Sequence, residues 1–268
     1  MKKYSSYFII LTGLLIITSC TKEINLQLDS AAGELVIEAN LTNVNGPQYV
    51  TLTNNVPFTN TNTYPPVTGA TVTLKDQSGK NYTLTEGPKG TYSVNPLVGT
   101  AGNTYTLNVV SNGQTYAANS TMPATVVLDS VTSKNNVINT GNNGKIKKTI
   151  SVYYQDPAGI SNQYRFVMTV NGVQVKSIFA YDDGFTDGRY VSSDLRQTDI
   201  DVYAGDTVTV EMQCIDKSIY TYWYTLMREQ GQNGGGTVAP SNPPTNITPA
   251  ALGYFSAHTT QSKTIIVK

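Results

Sequence analysis

The chain has 268 residues, only 13% of them charged, and its 18 basic residues balance its 18 acidic ones. That balance leaves no basic stripe of the kind that binds nucleic acid. A single histidine, His258, excludes any metal centre built on several histidines, and two cysteines, Cys20 and Cys214, allow at most one disulfide.

Met1-Lys2-Lys3, an apolar run from Tyr7 to Ile17 and a small-residue exit read as a secretory signal peptide over residues 1–19. The run is shorter than the roughly 20 apolar residues of a spanning helix. Ile17-Thr18-Ser19-Cys20 resembles the bacterial lipobox, an aliphatic residue and two small residues before a cysteine. In lipoproteins that pattern implies a diacylglycerol thioether on the cysteine, cleavage before it and acylation of the new amino end. Lipid chains contribute about 0.8 kcal/mol per buried CH₂, and stable anchoring takes more than one. A triacylated Cys20 meets that requirement. Residues 20–30 then form a lipidated polar tether, whose Lys22-Glu23 resembles the charged export signals of surface lipoproteins in the phylum Bacteroidota. Loss of Lys2 and Lys3 with the leader leaves 16 basic residues against 18 acidic, a net charge of −2.

Residues 31–123 show alternation of period two. Leu35, Ile37, Ala39 and Leu41 begin it, "QYVTLT" continues it, and Val72/Leu74, Tyr82/Leu84, Tyr92/Val94, Tyr105/Leu107/Val109 and Tyr116/Ala118 follow. Short alternating runs separated by Gly, Pro and Asn predict an antiparallel β-sandwich module. Residues 66–95, "PVTGATVTLKDQSGKNYTLTEGPKGTYSVN", resemble the transthyretin-like or carboxypeptidase-regulatory type of β-module, which implies a binding or spacer unit.

Residues 124–268 form a second, β-rich domain after Pro123. The polar stretch 132–145 reads as a long exposed hairpin tip, and Ile150, Val152 and Tyr154 resume the alternation. Tyr164, Phe166, Met168 and Val170 lead into Asn171-Gly172, with Val173 and Val175 beyond. Asn-Gly between alternating runs predicts a tight hairpin, because both turn positions need positive φ. Val208, Val210, Met212 and Cys214 alternate as one buried strand face. With Cys20 lipidated, Cys214 is left as an inert core thiol. Ile219, Tyr222, Trp223, Leu226 and Met227 then fall on one face of a helix over about 216–230, capped by Asp216 or Ser218 and ended by Gly231. That face packs on a sheet in preference to forming an aromatic platform for sugars. A Gly/Pro-rich stretch, 231–249, has no periodicity and reads as a long loop of the functional or disordered kind. "ALGYFSAH" and "KTIIVK" return the chain to strands. The predicted fold class is all-β, two antiparallel β-sandwich modules with one amphipathic helix in the second.

No motif assembles a catalytic centre. There is no G-x-S-x-G for a nucleophile, and His258 reads as an incidental surface or strand-end residue. Asp182, Asp183, Asp187, Asp194, Asp199 and Asp201 are the only dense group of carboxylates. "DDGFTDG" lacks the order of an EF-hand loop, and Asp with Gly describes ordinary turns. Calcium at Asp182, Asp183 and Asp187 stays open, as does a facing pair of carboxylates for a hydrolase. "GQNGGG" lacks the Lys-Ser/Thr of a phosphate-binding loop. No catalytic residue, cofactor or metal is assigned. Tyr254 and Phe255, beside the Pro/Gly loop, are the candidates for contact with a partner.

Four segments together, "YYQDPAGISNQYRF" (153–166), "YDDGFTDGRY" (181–190), "CIDKSIYTYWYTLMREQ" (214–230) and "PPTNITPAALGYFSAH" (243–258), resemble a Bacteroidota family of outer-membrane lipoproteins. Its defining domain is catalogued only as one of unknown function. Ala250-Ala251 stands where the family pattern has Gly-Gly. Members are often encoded beside TonB-dependent outer-membrane receptors, so the resemblance implies a lipid-anchored, non-catalytic binding or gating accessory of a nutrient transporter. The alternative is a structural or adhesive cell-surface lipoprotein. A calcium- or carboxylate-dependent hydrolase ranks third.

Overall fold

The computed structural model describes residues 33–57, 60, 63–140, 145–230 and 242–268, and leaves Cys20, the tether and residues 231–241 outside them. Seven strands come first: β1 (Leu35–Thr42), β2 (Gly46–Asn54), β3 (Thr71–Lys75), β4 (Asn81–Glu86), β5 (Thr91–Leu97), β6 (Thr104–Ser111) and β7 (Gln114–Thr121). Then follow β8 (Leu128–Thr140), β9 (Ile146–Gln155), β10 (Gln163–Val170), β11 (Val173–Gln174), β12 (Phe179–Asp182), β13 (Tyr190–Leu195) and β14 (Thr207–Cys214). Helix α1 (Lys217–Glu229), β15 (Ile247–Thr248) and the 15-residue β16 (Leu252–Ile266) complete the order.

The alternation read from the sequence becomes burial. In β1, Ile37, Ala39 and Leu41 are fully buried while Glu38 between them is exposed. Together with Leu52, Val72, Leu74, Tyr92, Leu107 and Phe255 they form one core. A second core gathers Leu128, Val152, Tyr154, Tyr164, Phe166, Met168, Val210, Met212 and Cys214. The first core takes residues up to Met122 and the second begins at Val126, except that Ile247, Phe255 and Ala257 return to the first.

That return is the work of β16. Along the larger sheet the order runs β11-β10-β14-β16-β1-β2-β5-β4-β3-β6-β7-β15, with β12 also on β10; β13-β9-β8 form a second sheet. Leu252 to His258 pair with β1, and Thr259 to Ile266 pair with β14. The β14 pairing is antiparallel, but β1 and β16 run parallel. A parallel pair joins segments distant in sequence without any turn between them, so no local signal announces it.

The backbone groups of β16 that face away from β1 are covered by side chains. Asn246 accepts from the Phe255 N–H at 3.0 Å and donates to its C=O at 2.8 Å. Thr245 Oγ1 donates to Gly253 O at 2.9 Å, and Ser120 Oγ accepts from Ala257 N at 2.9 Å. The short "TNIT" segment thus serves the half of β16 that β14 does not reach, which would otherwise present bare N–H and C=O groups. Replacing Asn246 by alanine strips two backbone groups of a fully buried residue of their partners. It is expected to cost about 2–4 kcal/mol, read as a lower urea midpoint with an unchanged slope.

The Asn171-Gly172 hairpin forms as expected, with φ of 50° and 80°. Asn112-Gly113 makes the same turn between β6 and β7, with φ of 50° and 77°. The polar stretch from 132 is a correction: it is not all tip, because β8 continues through Thr140 and pairs with β9 from Thr132↔Ser151 to Asn135↔Lys148. Helix α1 starts where its cap predicts, with the Asp216 carboxylate accepting from the N–H groups of Ser218 and Ile219. It packs on β12, β10 and β16, burying Ile219, Tyr220 and Met227 with Ala180 and Tyr254.

Candidate functional site

The aspartates grouped in the sequence separate in space. Asp194 pairs with Lys134 at 2.7 Å, Asp201 pairs with Lys147 at 2.7 Å, and Asp199 accepts from Lys176 N at 2.7 Å. Asp182 turns to its own loop, accepting from Gly184 N at 3.3 Å. Asp183 and Asp187 do come together, and their third member is Asp156, from the "QDPAG" turn after β9: ligand oxygens of the three lie within 4.8 Å of one another. Asp156 is fully buried and Asp183 nearly so. Only its position before a proline marked Asp156 in the sequence, and that is a turn signal.

Each of these carboxylates already accepts a hydrogen bond from across the two loops. Asp183 takes Asn162 N at 2.7 Å, Asp187 takes Gly159 N at 2.7 Å, and Asp156 takes Gly188 N at 3.3 Å and the Tyr164 hydroxyl. Burial first, and then the bond to Asp156, push the Tyr164 phenol up so that it stays a donor. The trio therefore latches loop 156–162 to loop 183–189. Its oxygen donors are of the kind a hard cation such as Ca²⁺ takes.

His258 is not at a strand end or on the surface, as the sequence reading expected. It is 2% exposed in mid-β16, at the point where the strand changes partner, with Nδ1 3.0 Å from Ser256 Oγ. Tyr254 and Phe255 are likewise inside, at 6% and 0% exposure, so neither ring is available to a partner. Helix α1 covers the Tyr254 face, where Trp223 and Tyr222 meet its ring at centroid distances of 5.2 and 5.0 Å, and the first core covers Phe255. Arg165 lies 3.7 Å over the Trp223 ring and completes that layer. Cys214, as expected, is a core thiol: burial pushes its pKa up, and it accepts from Val126 N.

The loop before β16 instead builds a cleft of about 470 Å³. Thr245, Ala250 and Leu252 form one wall, the β6–β7 hairpin with Asn112, Gln114 and Tyr116 another, and Gly33, Glu34 and Asn54 the third. Its volume lies within the usual range for small-molecule sites, and it is lined by side-chain amides, hydroxyls and small apolar groups. Glu34 is the only charged residue among the described lining residues. The cleft also takes in Gly33 and Glu34, the first described residues of the chain. Gly33 N and Glu34 N donate to Asn55 O and Oδ1 at 3.2 and 2.8 Å, and Asn55 N returns a bond to Glu34 O at 3.0 Å.

Residues 21–264 match the family model described as "Domain of unknown function (DUF4249)". The chain belongs to the DUF4249 family. The match takes in both cores, helix α1, the cleft and the Asp156 latch of this DUF4249 protein. No curated protein matches it. Among solved structures it is similar to the adhesin InvE of Yersinia pseudotuberculosis, at 20% identity and a TM-score of 0.22. That similarity covers 67% of the DUF4249 chain and 55% of the InvE chain, and at such a score it carries no argument about function.

Proposed function

We propose that this DUF4249 protein is a lipoprotein held in the outer membrane through Cys20, where it serves a TonB-dependent importer as a non-catalytic binding accessory. The observation that supports this reading is the coincidence of cleft and tether. Cys20 lies thirteen residues before Gly33, at most about 45 Å of extended chain, so a surface beginning at Gly33 stays within reach of a membrane-embedded partner. Tethering raises the effective concentration of such a partner and compensates for weak contacts. The cleft is nearly free of charge and rich in amides, which suits hydrogen bonding to loops or to a neutral polar solute.

The test is a tagged full-length copy purified from gently solubilised outer membranes, beside Cys20→Ala and an Asn54→Lys/Gln114→Lys double variant. Co-purification of one TonB-dependent barrel in near-equal amount is the expected result. The double variant is expected to keep its membrane attachment and its unfolding midpoint but lose the barrel, and Cys20→Ala to leave the membrane fraction. Recovery of the native lipoprotein alone, at normal abundance in several detergents, sinks the accessory role and favours a structural or adhesive one.

A further inference from the structure

A second cleft, of about 410 Å³, is built wholly from elements of the other core, and its charge is opposite in kind. Lys134 on β8, Lys148 on β9 and Arg196 just after β13 stand round it, with Asp194 as the one carboxylate among its described lining residues. Asp194 is engaged by Lys134 at 2.7 Å and by the Ser151 hydroxyl at 2.6 Å. Partial burial alone would raise the Asp194 carboxyl; those two bonds, with the Lys134 and Arg196 charges, outweigh it and hold the group below its ordinary value, so it stays ionised.

Asp194 also feels the Arg196 charge, but one carboxylate against Lys134, Lys148 and Arg196 leaves the lining with two positive charges in excess. Lys148 Nζ is 2.7 Å from Asn135 Oδ1, a neutral acceptor, and among the described residues no carboxylate reaches ion-pair distance of Lys148 or Arg196. The other charges nearby are committed elsewhere: Lys147 to Asp201, Asp199 to the Lys176 N–H, and Lys145 over the Tyr203 ring. On a chain of zero net charge, two positive charges in excess on one concave surface are a local field rather than a general bias. The floor is Ile150, Met168, Leu195 and Val202, each at most 2% exposed, so it fixes the shape and offers almost no apolar surface to a ligand. Gln197, Thr198 and Thr149 supply neutral hydrogen-bonding groups between the cations. Among the described residues no helix N-terminus or glycine loop stands there to cradle a bare phosphate.

We propose that this second cleft binds a small, hydroxyl-bearing anion, a sugar acid or a sugar phosphate, with Lys148 and Arg196 on its charged group and the amides and hydroxyls on its hydroxyls. Charge-assisted bonds set the affinity, and the neutral groups separate such a ligand from a bare ion.

Titration calorimetry on the full-length protein tests it with four probes: glucuronate, glucose 6-phosphate, glucose and inorganic phosphate. Saturable binding of at least one hydroxylated anion is expected, with glucose and phosphate each at least tenfold weaker. Which anion binds more tightly identifies carboxylate or phosphate as the preferred group. Lys148→Gln and Arg196→Gln, both outside the buried core, are each expected to weaken binding about tenfold without moving the unfolding midpoint, and added salt to weaken it further. The proposal is overturned by no binding of either anion, by glucose binding equally well, by phosphate alone binding as tightly, or by variants that bind unchanged. The outcome is independent of barrel co-purification, which reads the other cleft.

Discussion

Gly253→Ala is expected to be the most damaging single-methyl change in the protein. Gly253 has φ +94° and pairs with Ile37 in the parallel β1–β16 ladder, so an added Cβ would sit 2.0 Å from the Ile37 carbonyl oxygen and 2.8 Å from its carbonyl carbon. Both are backbone atoms, and no rotamer relieves the contact; the strands must part or β16 must slip. Positive φ alone costs an L-residue about 1–2 kcal/mol, and a disrupted ladder adds about 0.5–1.5 kcal/mol for each bond lost. A total above about 4 kcal/mol places the variant among the exceptional cases. Gly113→Ala is the control, with φ +77° and nothing within 4 Å of the added atom. It is expected to lose only about 1–2 kcal/mol for the backbone angle. Urea unfolding of the two side by side decides the matter: equal midpoints would mean that β1 and β16 are not joined through Gly253.

The second large effect is on the pH dependence of stability. Burial, first of all, lowers the pKa of His258 to about 4 against an ordinary 6.5; Arg165 lowers it further, while Glu211 and the Ser256 bond oppose the shift. Between pH 6.5 and 4 the unfolded chain therefore carries a proton on this histidine that the folded chain does not. Stability rises with pH across that window, is complete above about 6.5 and is lost as pH falls towards 4. The whole effect is about 3 kcal/mol at 1.36 kcal/mol per unit. Carboxylates held low in the fold, such as Asp76 and Glu86, add a slope of the same sign only from about pH 5 downward, where their unfolded forms begin to take up protons. A series of urea midpoints from pH 7.5 to 4 should show this slope, and His258→Asn should flatten it between about 6.5 and 5 and leave the carboxylate part below. An unchanged slope in the variant would assign the effect to other groups.

The strands were legible because each buries one face, and period two records that directly. Helix α1 was legible from its Asp216 cap and apolar face. What escaped was set by distance in sequence. Nothing near Leu35 says that it lies beside residues near 252, and nothing in "QDPAG" says that Asp156 meets Asp183 and Asp187. Tyr254, Phe255 and His258 misled for a related reason. A strand covered on both faces loses its alternation, so Tyr254, Phe255 and His258 read as outward positions of a strand when every residue of "GYFSAHT" is buried. The two clefts were invisible because their walls come from segments scattered along the chain.

The partnership of β1 and β16 also decides how the molecule meets a pull. These strands run side by side in the same direction, seven residue pairs deep from Val36↔Leu252 to Thr42↔His258. A load applied before Leu35, where a membrane tether would act, and opposed beyond Ile266 slides the strands past each other. All rungs then share the force at once, instead of opening one after another from an end. The second half of β16 is paired along its length with β14, in the opposite direction. Lifetime under load is governed by the unfolding rate, and this arrangement makes the rupture of a whole ladder the slow step.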